Sequence, residues 1–347
     1  KQKNENESRD VIEKLQTVLI HLFIFVLLAF LVTSPLYFNS LNIDPSLLLP
    51  ICGMLILSIA MSVISGYLNG KQKLIKLGLV LVFSAGLQLL LSASTAILTK
   101  SGVATLYAMA MGAFIAIILT YWAYKKENLP KLSSIFVHKL DIYKSKDIRK
   151  LIGYTALSSI AVLIMNILLI LDLLLINSRG IDAKIYTDIY VISRIVFFGG
   201  MLFVWPFLSN IDIYNPKHNT NLLFRITALF VAISGVSIFA MYVFGNQITQ
   251  ILLGDSYAMN TNLKEFAILA ILYKFIFLMI TTITLYFIVI KSYWAILTPL
   301  LLALGTITVT SMLGSGATSI ELLRSLNIVA AFGLVVGFYG FANTVRR

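Results

Sequence analysis

The chain has 347 residues, of which 59% are hydrophobic and only 12% charged, with a mean hydropathy of +0.91. A water-soluble domain carries about 25% charged residues, so a soluble protein is excluded; long continuous apolar runs are those of helices surrounded by lipid or by other helices. The formal net charge of +12, from 27 Lys+Arg against 15 Asp+Glu, becomes informative only through the positions of the charges, and no nucleic-acid partner is read from it.

Crossing a hydrocarbon core about 30 Å thick takes about 20 helical residues. Ten apolar runs of that order occur, at 15–38, 47–68, 73–98, 103–124, 151–177, 184–209, 222–244, 264–289, 293–313 and 325–343. They predict an all-α polytopic membrane protein. The first run follows an acidic leader, Lys1 to Lys14, and is too long for the apolar core of a cleaved secretory signal. The chain begins at Lys1 and not at a methionine, so further sequence upstream is expected.

Ten spans place the connections alternately on two sides. Twenty of the 27 lysines and arginines then fall on the side of the amino terminus, and five (Lys100, Arg179, Lys184, Lys264, Arg324) on the other. Positive charge marks the cytoplasmic side. Both termini are therefore expected in the cytoplasm, the chain being multi-pass in the cytoplasmic (inner) membrane. No metal or cofactor is expected: Cys52 has no second thiol and lies in an apolar run, and His21, His138 and His218 lie far apart in the chain.

The longest cytoplasmic connection, 125–150, separates four spans (1–124) from six (151–347). Within it Leu132, Ile135, Phe136, Leu140 and Tyr143 recur at helical spacing among lysines. This predicts an amphipathic helix on the inner leaflet, facing anionic lipid headgroups, with a plain solvated loop as the alternative. The largest connection on the other side, 245–263, carries Ile248, Ile251 and Leu252 before Gly254-Asp255-Ser256-Tyr257. No loop is long enough to form a soluble catalytic domain.

Two cations remain, Arg194 and Lys274, each well inside a span. A cation at the bilayer centre costs at least about 2.5–3.5 kcal/mol and faces protein or water. Asp172, in the run Leu-Leu-Ile-Leu-Asp-Leu-Leu-Leu-Ile, must likewise be protonated, paired or hydrated. Two readings stand side by side: a structural pairing of the cations with Asp172, Asp188 or a backbone carbonyl, or a role in binding an anionic substrate.

Several segments resemble the multidrug/oligosaccharidyl-lipid/polysaccharide (MOP) flippase superfamily, in particular its polysaccharide biosynthesis branch, which includes O-antigen flippases. Ser65-Gly66-Tyr67-Leu68-Asn69-Gly70-Lys71 is similar to the glycine-flanked segment leading into that branch's basic loop between its fourth and fifth helices. Asp172 sits where the family often has an aspartate in its seventh helix. Tyr186 followed by Arg194 resembles the next helix, with Lys184 in place of a glycine. Gly254 and Tyr257 match a segment after the ninth helix, with Leu253 at an aromatic position.

The resemblance implies two lobes of six helices, the first two helices lying upstream of the present chain. It implies transport of a polyprenyl-diphosphate-linked oligosaccharide for cell-surface polysaccharide export, by alternating access. Arg194 and Lys274 would then be headgroup contacts, with Asp172 and Asp188 as counter-ions or as a coupling proton or sodium site; glycan assembly enzymes would be partners. Pro50, Pro206 and Pro299 are candidate kinks, although Pro50 and Pro206 also suit the ends of spans. A multidrug exporter of the same superfamily is the alternative, though a cationic cargo calls for an excess of acidic groups in the cavity. A membrane-embedded glycan polymerase or glycosyltransferase is a second alternative, and the short loops weigh against it.

Overall fold

The computed structural model describes residues 44–70, 73–123, 146–177, 183–212, 215–253, 261–313 and 317–345, with isolated positions between 24 and 35. Among the described residues the chain is entirely helical. A 3-10 turn, Pro45–Leu47, precedes α1 (Leu48–Gly70), α2 (Leu74–Thr99), α3 (Gly102–Ala123), α4 (Lys146–Asn177), α5 (Ala183–Ser209), α6 (Pro216–Leu253), α7 (Thr261–Val289), α8 (Trp294–Met312) and α9 (Ser319–Val345). All nine are long and apolar enough to cross a membrane. The first predicted span, 15–38, lies almost wholly outside the described residues, as does most of the 125–150 segment.

Three helices start or end elsewhere than hydropathy alone predicts. The expected span 325–343 begins at Ser319, because Thr318 and Glu321 form a capping box: the Thr318 N–H donates to Glu321 Oε2 at 2.8 Å and the Glu321 N–H to Thr318 Oγ1 at 3.3 Å. The expected span 222–244 is replaced by a 38-residue helix, α6, broken only at Phe244 (φ −109°, ψ 16°). Ile248, Ile251 and Leu252 continue its helical spacing beyond that break, so residues 245–253 are helix and not connecting loop. Helix α4 starts at Lys146, five residues ahead of the apolar run, since charged residues with good helix propensity extend a helix beyond the hydrocarbon at little cost.

The chain divides into two compact units, Lys1–Ile152 and Gly153–Arg347. In the first, Ile64 and Leu68 of α1, Leu77 and Val80 of α2 and Ile117 of α3 form a small core. Gly112 lets α3 approach α2 closely: a Cβ there would lie 2.8 Å from the Gln88 Cα.

The second unit is organised around α7. That helix is 72% buried over its membrane window, against 33% or less for each of its neighbours. Between its charged first turn and its end its residues are apolar on every side apart from Lys274 and a few hydroxyls, the pattern of a helix enclosed by others instead of facing lipid. Small residues of α9 admit this contact. Gly333 and Gly337 face Ile280 and Ile283 of α7 as well as α8, and Gly340 lies under the Trp294 ring of α8. The α7–α8 connection is tight because Lys291 takes a left-handed conformation (φ 57°) and Ser292 N–H donates back to the Phe287 carbonyl at 2.9 Å. Pro206 lies in the last turn of α5 and Pro299 within α8.

Candidate functional site

The site lies within the second unit, where α4, α5 and α7 meet. Tyr186, Tyr190, Arg194 and Phe198 follow one another at intervals of four on α5, which places them on one face of that helix. Tyr273 and Lys274 are adjacent on α7, and Leu168, Leu169 and Asp172 form one turn of α4.

The structure brings Asp172 and Lys274 together. Lys274 Nζ lies 2.8 Å from Asp172 Oδ1 and 2.8 Å from Oδ2, and donates to the Leu169 carbonyl at 2.5 Å. Tyr186 donates its hydroxyl to Asp172 Oδ2 at 2.5 Å. Two more tyrosines reach the same turn of α4: Tyr273 donates to the Leu168 carbonyl at 3.2 Å, and Tyr190 to the Leu169 carbonyl at 3.4 Å. The Lys274 ammonium also lies 4.5 Å from the Tyr190 ring centroid and 5.0 Å from that of Tyr273.

Asp172 and Lys274 both have 0% exposure, and Tyr186, Tyr190 and Tyr273 are buried with them. Two charges withdrawn from water are tolerated when they are paired and hydrogen-bonded, and this arrangement does both. The ammonium donates to the Leu169 carbonyl and to Asp172 Oδ1 and lies at ion-pair distance from Oδ2, while the carboxylate accepts from both the ammonium and a phenol.

Arg194 stands apart from the pair. It is half-buried one turn beyond Tyr190, its guanidinium carbon 5.3 Å from the Tyr190 ring and 5.1 Å from the Phe198 ring. Its Nε is buried and has no hydrogen-bond partner among the described residues. Asp188 falls within α5, but its side chain lies outside the described residues, as do Lys184, Gly254 and Tyr257. Ser65 to Gly70 form the end of α1. Among the described residues no group of three or more His, Cys, Asp or Glu side chains is placed to hold a metal ion.

Nothing in the sequence marks Tyr190 or Tyr273 as members of this cluster, since a tyrosine in an apolar run is ordinary. The signal available for Tyr190 is its place midway between Tyr186 and Arg194 on one helical face.

A helical membrane protein with a polar knot of this kind invites comparison with transporters. No protein-family profile and no curated protein sequence matches the chain. Solved structures do. The chain is similar to an outward-facing multidrug resistance MATE family transporter of the MOP superfamily, with a TM-score of 0.73 and 13% identity, covering 99% of this chain and 80% of that one. It is similar to a mutant of a Vibrio cholerae MATE transporter, with a TM-score of 0.67 and 12% identity, over 97% of this chain and 77% of that one. A third is a MOP superfamily transporter of Pyrococcus furiosus, described as having a binding pocket of reversed polarity, with a TM-score of 0.65 and 14% identity over 96% and 80% of the two chains. The chain therefore has the fold of the MOP superfamily transporters, a multi-pass membrane architecture.

Proposed function

We propose that the chain is a secondary membrane transporter of the MOP type, moving an amphipathic substrate by alternating access. The observation that carries this reading is the likeness to a MATE transporter over 99% of the chain. In keeping with the positive-inside asymmetry, both termini are assigned to the cytoplasmic face, and the basic 125–150 segment to contact with anionic lipid there.

For the cargo, the structural likeness supports multidrug export more than any other reading, since the MATE structures include a multidrug transporter. One feature of the site favours an anionic amphiphile instead. Asp172 is already neutralised by Lys274, so among the described side chains of the site Arg194 is the charge left over, with a buried Nε that lacks an acceptor. A guanidinium so placed attracts phosphate oxygens, which it can hold in a two-pronged fashion, and repels a cationic drug. That supports a lipid-linked diphosphate sugar as the second reading.

Proteoliposome assays separate the two. Accumulation of a cationic dye such as ethidium, indifferent to added polyprenyl diphosphate, carries multidrug export. Saturable binding of polyprenyl diphosphate that drops about tenfold or more in Arg194→Gln carries the lipid-linked reading, at the ~1.5–3 kcal/mol of a hydrogen bond to a charged group. If neither compound is bound or moved, both cargo readings fail.

A further inference from the structure

The surroundings of Lys274 Nζ have the make-up of a binding cage for a small monovalent cation. Two carboxylate oxygens of Asp172 stand at 2.8 Å, the Leu169 carbonyl at 2.5 Å, and the faces of Tyr190 and Tyr273 at 4.5 and 5.0 Å from their centroids. Oxygen acceptors together with aromatic faces are what an ammonium or alkylammonium ion requires once stripped of water. Tyr186 completes the cage from behind, since its hydroxyl holds the carboxylate and fixes its orientation. The occupant is the end of a side chain of the same protein.

We propose that Lys274 is the tethered occupant of a monovalent-cation cage formed by Asp172, Leu169, Tyr190 and Tyr273, with Tyr186 as a positioning residue, so that Asp172 takes up no free cation in the intact chain. Both charged residues have 0% exposure, and a sodium ion reaching Asp172 would have to displace an ammonium that cannot diffuse away. Being part of the chain, the tethered group binds intramolecularly and is not lost by dilution. The same contact ties the Leu168–Asp172 turn of α4 to α5 and α7. This inference concerns the cage alone and holds for either cargo, and its test reads binding without transport.

The tether can be cut. Lys274→Ala leaves the acceptors and rings in place and opens a space the size of the lost side chain. Thermal unfolding of the purified full chain is followed in choline, sodium, potassium, ammonium and methylammonium chlorides at matched ionic strength. Lys274→Ala is expected to unfold early in choline and to recover in ammonium or methylammonium, with a saturable upward shift of at least about 2–4 °C. The double variant Asp172→Asn/Lys274→Ala is expected to show no such recovery. An equal response of Lys274→Ala to choline and to ammonium overturns the proposal, and so does an equal recovery in the double variant. The unaltered protein supplies a second measurement that does not depend on the variant folding. Its midpoint is expected to be the same in lithium, sodium, potassium and choline. A saturable stabilisation of the unaltered protein by one alkali cation, abolished in Asp172→Asn, shows Asp172 binding a free ion and sinks the idea.

Discussion

Lys274 of α7 and Asp172 of α4 stand 102 positions apart in the chain, yet the ammonium of one lies 2.8 Å from both carboxylate oxygens of the other, with neither side chain exposed. Breaking a buried pair by removing one partner costs about 3–5 kcal/mol, because the remaining charge is left uncompensated, whereas removing both can be nearly neutral. Lys274→Met and Asp172→Asn are each expected to lower stability by that order, and the double variant by much less than the sum. A double-mutant cycle of unfolding midpoints in detergent measures the coupling. Additive losses would show that the two side chains do not depend on one another.

Arg194 should behave in the opposite way. Its contacts are the Tyr190 and Phe198 rings, and cation–π contacts of this kind contribute about 0.5–1 kcal/mol when partly exposed. Arg194→Gln is expected to keep the unfolding midpoint within a few degrees of the unaltered protein. A collapse of the fold on this change would mean that Arg194 is a structural residue and would remove it as a substrate contact.

Glycines separate into those that admit a neighbour and those that do not. At Gly112 a methyl group would sit 2.8 Å from the Gln88 Cα, and at Gly340 it would sit 2.6 Å from the Trp294 ring. Neither a backbone nor an indole can yield cheaply, so Gly112→Ala and Gly340→Ala are each expected to destabilise by about 1–3 kcal/mol. Gly86 and Gly235 have open space at the same position. Alanine there is expected to be neutral or to stabilise by up to about 1 kcal/mol through helix propensity. A thermal-stability scan of the four variants checks the division, and equal losses at all four would contradict it.

Two helix starts rest on side-chain caps. Thr318→Ala removes the bonds made by the Thr318 hydroxyl, including the one it accepts from the Glu321 N–H, while the backbone N–H of residue 318 can still donate to Glu321; it should cost about 0.5–2 kcal/mol, seen as faster amide hydrogen exchange in the first turn of α9. At the other cap, the Ser46 N–H donates to Asp44 Oδ1 at 2.9 Å and holds that carboxyl below its ordinary value. A depressed pKa means the cap is fully present above the usual carboxylate range and is lost as pH falls below that range, through the lowered value. Exchange of the Ser46 amide should therefore quicken on acidification, and Asp44→Asn should flatten that dependence.

The exposed pair between Arg324 of α9 and Glu265 of α7 is of a different order. The two arginine donors converge on Glu265 Oε1, but both side chains are about half exposed, at 58% and 41%. Arg324→Gln is expected to cost no more than about 1 kcal/mol at low salt and less at high salt. A loss that is large and insensitive to salt would place the pair in a drier setting than its exposure indicates.

Much of the architecture is legible in hydropathy because each span must be apolar over a fixed length. Arg194, Lys274 and Asp172 are legible for the complementary reason, as charges where lipid would reject them. The partnership between Lys274 and Asp172 is another matter: it depends on which helix faces pack together, and hydropathy does not encode that. Tyr186, Tyr190 and Tyr273 contribute hydroxyls from rings that hydropathy counts with their apolar neighbours. Likewise the helical stretch after Phe244 is written in the spacing of Ile248, Ile251 and Leu252, but a span limited by bilayer thickness ends before it.

The order of the two buried charges along the chain has a consequence for biosynthesis. At about 5–20 residues per second, Asp172 leaves the ribosome roughly 5–20 seconds before Lys274. During that interval α4 must wait with its carboxyl protonated, or in contact with water or the insertion machinery, because the lysine that neutralises it has yet to be made. Helix α7 has the reverse experience: the counter-charge for its lysine is already waiting when it arrives.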